Sequence, residues 1–306
     1  MTRLFPERRF LVTHLCIVSD GKPGHLNQSL GLAAALKALR PSLEITEVSP
    51  LSRGQQVRCW LGKTQPLVTR PALILGAGHR THSTVLALRH SYGVPGIVLM
   101  SPSLPYRFFD LCLVPEHDQP PARENVVTTQ GMINRMHAGT KDPHSGLILV
   151  GGPSKECDWD ETALLSQITA LLEQPHAEPV NWQVATSRRT PQTTVDALTA
   201  LGCSLVLPEE VDRDWLPATL ARTTLCWVSE DSASMVFEAL TAGCRVGVFS
   251  VPRKRQGRVY HGVQNLIQRE QVGVIHAGQP VVELPGPQRL EEASRCARLI
   301  VDRGWL

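Results

Sequence analysis

Two carboxylates, Glu230 and Glu238, stand eight residues apart in Trp227 to Phe249, WVSEDSASMVFEALTAGCRVGVF, with Asp231, Ser232 and Ser234 between them. The apolar run TLCWVS comes first, so the polar residues open a helix where a strand ends. Asp231 or Ser232 is placed to cap that helix and Gly243 to close it. Unoccupied amides in the first turn and the positive end of the helix dipole make an anion site there, and the hydroxyls of Ser232 and Ser234 can add hydrogen bonds to a phosphate. About two turns of helix separate the glutamates, so both reach one side of a ligand. An N-capped helix with an ordinary acidic residue on its wet face accounts for the same letters.

Two further stretches point to phosphate chemistry. In TSRRTP, Thr186 to Pro191, Arg188 and Arg189 stand where a strand hands over to a helix. An arginine there can hold a diphosphate bidentately and neutralise a leaving nucleotide without a metal; a capping turn with solvent-facing arginines is the plainer alternative. In GGPSKECDWD, Gly151 to Asp160, the glycines let backbone amides approach a ligand, while Ser154 and Lys155 supply a donor and a charge. Gly-Pro-Ser is also ordinary turn chemistry. The cations Arg253, Lys254, Arg255 and Arg258 crowd PRKRQGR. That run reads as a solvated turn, as a phosphate site, or as a peripheral contact with an anionic lipid surface.

In the first half, SDGKPGHLNQSL follows the apolar run HLCIV. It lacks the Gly four residues before its Gly-Lys pair, and Pro23 stands where a nucleoside triphosphatase loop needs a Ser or Thr for magnesium, so it is no phosphate loop of that kind. It reads as a turn that Gly21 permits, displaying Asp20, Lys22 and His25, with a helix beginning at Asn27. Asp20 and His25 are the first candidates to deprotonate a hydroxyl. His79, Arg80 and His82 follow another strand, and VPEHD follows a third. These histidines have no metal-ligand spacing, and no metal is expected.

The elements that position these residues alternate along the chain. Candidate strands are His14–Val18, Leu43–Val48, Ala72–Leu75, Gly96–Met100 and Leu111–Val114, then Leu147–Val150, WQVAT, SLVL, TLCWVS and RVGVFS. Helical patterns lie between them, with a last one over Pro287–Val301. This predicts an α/β fold of two Rossmann-like domains facing each other across a cleft, with a C-terminal helix. Residues 1–140 form the first and 141–306 the second.

The 306 residues, 42% hydrophobic and 19% charged, exclude a disordered or fibrous chain, and a net charge of +3 gives nucleic acid no particular claim. Eight scattered cysteines without a CxxC pair suit a reducing cytoplasm. The N-terminal MTRLFPERRFLVTHLCIV has no cleavage site, and no window is apolar enough to span a membrane, so membrane contact would be peripheral.

SDGKPGHLNQSLGLAAAL, FFDLCLVPEHD, LILVGGPSK, TSRRTP and SEDSASMVFEALTAG occur in an order that resembles the mitochondrial fission family, named for the plant protein whose loss elongates mitochondria, which has many bacterial members. That family in turn is similar to twin-Rossmann (GT-B) glycosyltransferases, where the second glutamate of such a pair holds the nucleotide ribose and the first faces the sugar. The resemblance implies a nucleotide-sugar donor as substrate, with no separate cofactor. It would be held by Ser232, Ser234, Glu238 and Arg188 or Arg189 in the second domain, to which the reading of the residues themselves adds Ser154 and Lys155. Glu230, Asp20 and His25 would do the chemistry, and the acceptor, unidentified, would belong to the first domain. One departure stands out: where the family pattern has Gln-Asp-Pro before the FD segment, this chain has MSPSLPYRFFD. The competing expectation is a non-catalytic adaptor that keeps the fold, which the plant relative's role implies.

Overall fold

The computed structural model describes residues 13–175 and 178–306, of which the side chains of Arg258 and Val259 are not described. The chain divides into two compact units. One comprises the residues up to Arg135 together with Glu292–Leu306, and the other Met136–Glu291.

In the first unit, short apolar runs become the strands of one parallel sheet: β1 (Thr13–Val18), β2 (Leu43–Val48), β3 (Leu73–Ala77), β4 (Gly96–Leu99), β5 (Leu111–Pro115) and β6 (Val126–Thr129), ordered β2-β1-β3-β4-β5-β6. β3, β4 and β5 are buried along their whole length, because helices cover both faces. Helices α1 (Pro23–Leu39), α2 (Arg53–Trp60) and α3 (His82–Tyr92) make the crossovers.

In the second unit the strands are β7 (Asp142–Val150), β8 (Asn181–Thr186), β9 (Ser204–Val206), β10 (Thr223–Ser229), β11 (Arg245–Phe249) and β12 (Gly273–Ile275), ordered β12-β11-β10-β7-β8-β9. Numbered within the unit, that order is 3-2-1-4-5-6 read from the β9 edge, the dinucleotide-fold order with its topological switch between β7 and β10. The helices are α4 (Glu161–Leu172), α5 (Gln192–Ala200), α6 (Trp215–Arg222), α7 (Ala233–Thr241) and α8 (Arg258–Gln268), and α9 (Glu292–Asp302) ends the chain. The eight cysteines are free, and all but Cys203 are buried.

Three expectations need correction. Helix α1 begins at Pro23, four residues before Asn27, because proline's fixed φ suits the first helical position. His25 therefore lies in the first turn of a helix and not in a loop. Helix α9 belongs to the first unit: Cys296, Ala297 and Ile300 are fully buried in the cluster that holds Leu32 and Leu36 of α1. Glu292 accepts the Gln130 N–H at 3.1 Å, and Arg295 donates to the Thr128 carbonyl at 2.8 Å. The boundary falls after Arg135. Elements α2, α6, β6 and β12 were not anticipated. Helix α6 tolerates Pro217 because it lies in the first turn, where its missing N–H costs nothing.

Candidate functional site

In the first unit the loops after β1 and β3 meet where the sheet order reverses. His25 Nδ1 lies 3.0 Å from Asp20 Oδ1 and 3.1 Å from Oδ2. A carboxylate only accepts, so Nδ1 carries a proton, and in the neutral imidazole the lone pair is then on Nε2. The Asp20 side chain is 1% exposed and that of His25 22% exposed, which leaves the imidazole open to a reactant and its anchor enclosed. Burial works to raise the Asp20 pKa. Hydrogen bonds from His25 and the Lys22 amide, with the charges of both residues, outweigh it and hold the carboxyl below the ordinary range. Gly78, at φ +87°, brings the end of β3 against the imidazole so closely that a Cβ there would collide with His25.

His82 sits close by at the start of α3, 2% exposed. Its Nδ1 accepts the Ser103 N–H at 3.3 Å and contacts the Ser103 hydroxyl at 3.0 Å, so its proton is on Nε2, which is buried without a hydrogen-bond partner among the described residues. Burial, then the repulsion of His79 and His25 in their protonated forms, pushes its pKa down to about 4. A histidine whose folded value lies below its unfolded value of about 6.5 binds fewer protons when folded, so its stabilising effect is present above pH 6.5 and is lost as pH falls from there towards 4. Chemical denaturation is expected to show stability lower by about 1 kcal/mol at pH 5.5 than at pH 7.5, and His82→Gln is expected to flatten that slope. An unchanged slope in the variant would assign the titration elsewhere.

In the second unit the switch point is built around Asp231, whose side chain is 0% exposed. It accepts the Ser229 hydroxyl at 2.6 Å, the Gly152 N–H at 3.1 Å and Arg189 Nη2 at 2.7 Å. Arg189 also donates to the Gly152 carbonyl at 2.6 Å, and Gly151 donates to Ser229 Oγ at 2.7 Å. These bonds fasten the Gly151–Gly152 turn after β7 to the Ser229–Asp231 turn after β10. Arg189 is thus committed inward to Asp231, which revises its expected role at a diphosphate. Arg188 is exposed and makes no hydrogen bond or ion pair among the described residues.

Glu230 is 3% exposed. Its Oε1 accepts from Arg253 Nη2 at 2.6 Å and Gln264 Nε2 at 3.3 Å, whereas Oε2 is buried with no hydrogen-bond partner among the described residues. Arg253 in turn lies 4.4 Å over the Tyr260 ring. Thr186 Oγ1, at the end of β8, is another buried oxygen without a partner among the described residues. Such atoms are costly unless a ligand or water satisfies them.

Ser232 is the N-cap of α7 and makes no side-chain capping bond, so the helix opens on unoccupied amides. Ser234 is exposed and Glu238 is half-buried one turn further on. Ser154 is engaged locally, its Oγ accepting the amides of Glu156 and Cys157 at 3.1 and 3.0 Å, while Lys155 is exposed. The basic run is tied to that loop. The amides of Lys254 and Arg255 donate to the Glu156 carbonyl at 2.8 and 3.3 Å, and Lys254 Nζ pairs with Asp158 at 3.5 Å. Of its cations, the Arg258 side chain lies outside the described residues. The sequence did not disclose Asp231 as the hub, the Glu230–Arg253 pair or the contact of Gly78 with His25. A glycine directly after a strand was the signal available for the last.

The two six-stranded parallel sheets, each with helices on both faces, are the twin-Rossmann, GT-B-like fold. A protein from Listeria monocytogenes described as a candidate UDP-N-acetylglucosamine 2-epimerase has it with a TM-score of 0.55, at 12% identity over 96% of this chain and 97% of that one. A UDP-glucosyltransferase from Polygonum tinctorium has it with a TM-score of 0.50, at 12% identity over 95% and 89%. At that identity the likeness concerns the fold. Within that class the chain belongs to the mitochondrial fission ELM1 family, whose model matches residues 23–304. It is also similar, at 20% identity over 344 residues covering 94% of this chain and 97% of the relative, to the uncharacterized protein RP120 of Rickettsia prowazekii (strain Madrid E). Among the described residues no helix is long and apolar enough to cross a membrane.

Proposed function

We propose that the protein transfers a sugar from a nucleotide-sugar donor to an acceptor hydroxyl, with the donor bound by the second unit at its β7/β10 switch point. One observation carries the reading: the α7 N-terminus opens without a side-chain cap bond beside a buried carboxylate, Glu230, that has one oxygen lacking a donor among the described residues. The helix end suits a diphosphate, and a ligand hydroxyl supplies the hydrogen bond that Glu230 Oε2 lacks. Both fold neighbours named above carry a UDP-linked sugar in their names, which supports that substrate class.

The diphosphate accepts from the amides of Ala233 and Ser234 and from the Ser232 hydroxyl, with Arg188, Lys155 and the Arg253–Arg255 loop adding positive charge. Glu238 takes the ribose hydroxyls. In the first unit, His25 Nε2 removes the proton of the acceptor hydroxyl while Asp20 holds the imidazole in the required tautomer. The acceptor oxygen bonds to the anomeric carbon, the bond from that carbon to the diphosphate breaks, and the electron pair leaves with the nucleoside diphosphate. Positive charge already in place at the leaving group is expected to lower the barrier more than any other feature of the site.

A thermal-shift panel of nucleoside diphosphates and nucleotide sugars tests the donor site, since a ligand that binds only the folded state raises its melting temperature. Stabilisation by at least one class, reduced about tenfold in apparent affinity by Glu238→Ala and by Arg188→Ala, is expected. Stabilisation by none, or the same in both variants, sinks the reading.

A further inference from the structure

Helix α2 and the loop after it form a surface that the donor-site reading does not use. Val57 and Trp60 lie three residues apart on one face of α2 and Leu61 is its C-cap residue; they are 55%, 50% and 60% exposed. Val68 follows in the loop, fully exposed. Globular surfaces seldom leave a tryptophan and three branched apolar side chains unpacked within so short a segment. Trp60 is held in place by His90 of α3, ring centroids 4.7 Å apart. Beside Val68, a cavity of about 160 Å³ is lined by Leu15, Cys16, Val48, Pro66 and Leu67.

The segment that carries this face is basic along the sequence, with the exposed Glu44 and Glu47 on the neighbouring strand β2. From Val48 to Phe109 the sequence contains Arg53, Arg58, Lys63, Arg70, Arg80, Arg89 and Arg107 and no aspartate or glutamate. Two of these cations are engaged: Arg89 pairs with Asp110 at 2.5 Å, and Arg70 donates to the Tyr92 carbonyl at 2.7 Å. Arg53, Arg58 and Lys63 flank the apolar residues, are exposed and make no side-chain hydrogen bond or ion pair among the described residues. The whole chain is only +3, so the excess is concentrated on this part of the first unit.

We propose that this face docks on an anionic lipid bilayer, with Trp60, Leu61, Val57 and Val68 entering the headgroup region and Arg53, Arg58 and Lys63 lying against the lipid phosphates. Apolar side chains ringed by lysine and arginine, with a tryptophan that prefers the interface, fit such a surface. A protein partner of ordinary mixed charge would leave these cations unmatched. Each basic residue held near an anionic surface multiplies partitioning about fivefold, an attraction that salt screens.

The test is co-sedimentation of the full chain with phosphatidylcholine vesicles, with and without phosphatidylglycerol. Binding is expected to the anionic vesicles, weakened at least tenfold by 0.5 M salt, by the pair Trp60→Ser with Leu61→Ser, and by the triple Arg53→Gln, Arg58→Gln, Lys63→Gln. All these positions are exposed, and circular dichroism with melting curves verifies that the variants fold. The proposal is overturned if the wild-type chain fails to sediment with anionic vesicles. It is also overturned if binding survives both sets of substitutions, or if ultracentrifugation shows the face to be a dimer interface that the Trp60 variant abolishes. Nucleotide binding in the second unit is expected to be the same in these variants, so failure here and failure of the donor site are separate results.

Discussion

Alanine at position 25 is expected to lower the rate of sugar transfer by about 10²- to 10⁴-fold, the range of a lost general base, with little change in melting temperature. The side chain is partly exposed, and its polar commitment among the described residues is to Asp20 at 3.0 Å, so its removal leaves a small, wet gap. Asp20→Asn is expected to lose rate as well, since an amide no longer dictates which imidazole nitrogen carries the proton. Gly78→Ala supplies the sharper control because it keeps both partners. Its Cβ collides with the imidazole, and φ +87° is a left-handed conformation that alanine adopts at a cost of about 1–2 kcal/mol. Turnover measured with a donor that passes the thermal-shift panel checks all three. Full activity in His25→Ala would assign the base to another residue.

The largest expected effect on stability is at Asp231. Replacing it with alanine removes the acceptor for the buried Ser229 hydroxyl and Gly152 amide and for the Arg189 guanidinium at once. Each buried group left unsatisfied costs about 1–3 kcal/mol. Arg189 is 41% exposed and can turn to water, so its share is discounted. A net loss of about 3 kcal/mol follows, which for a unit of this size is a fall of about 6–12 °C in melting temperature. Scanning calorimetry reads this directly, and the transition that moves is that of the second unit. A loss below about 1 kcal/mol would mean that the β7 and β10 turns are held together by something other than Asp231.

Much of this architecture was legible in the letters. Buried parallel strands are continuous apolar runs, so HLCIV, LILV and TLCWVS announced themselves, and the motif order announced the family. Helix α9 misled because sequence position says nothing about which core Cys296 and Ile300 enter. Helix α1 misled because Pro23 reads equally as a breaker and as a first helical residue. At the site, the strand-to-helix junctions were recognisable from Gly, Ser and acidic residues. Their internal pairings were not. Arg188 and Arg189 are exposed neighbours of identical type, yet one makes no side-chain bond among the described residues and the other holds Asp231, a difference set by a residue 42 positions away. Glu230 stood out for its spacing from Glu238, but only the fold shows that Arg253 and Gln264 leave one of its oxygens unmet.

The donor site is the central claim, and amide hydrogen exchange with and without the nucleotide that most raises the melting temperature tests it most directly. The peptides spanning Val228 to Glu238 are expected to gain protection, with smaller gains at Gly151–Lys155 and Ser187–Thr190 and none around β6. Protection confined to the first unit, or absent throughout at saturating nucleotide, would contradict a donor site at the β7/β10 switch point.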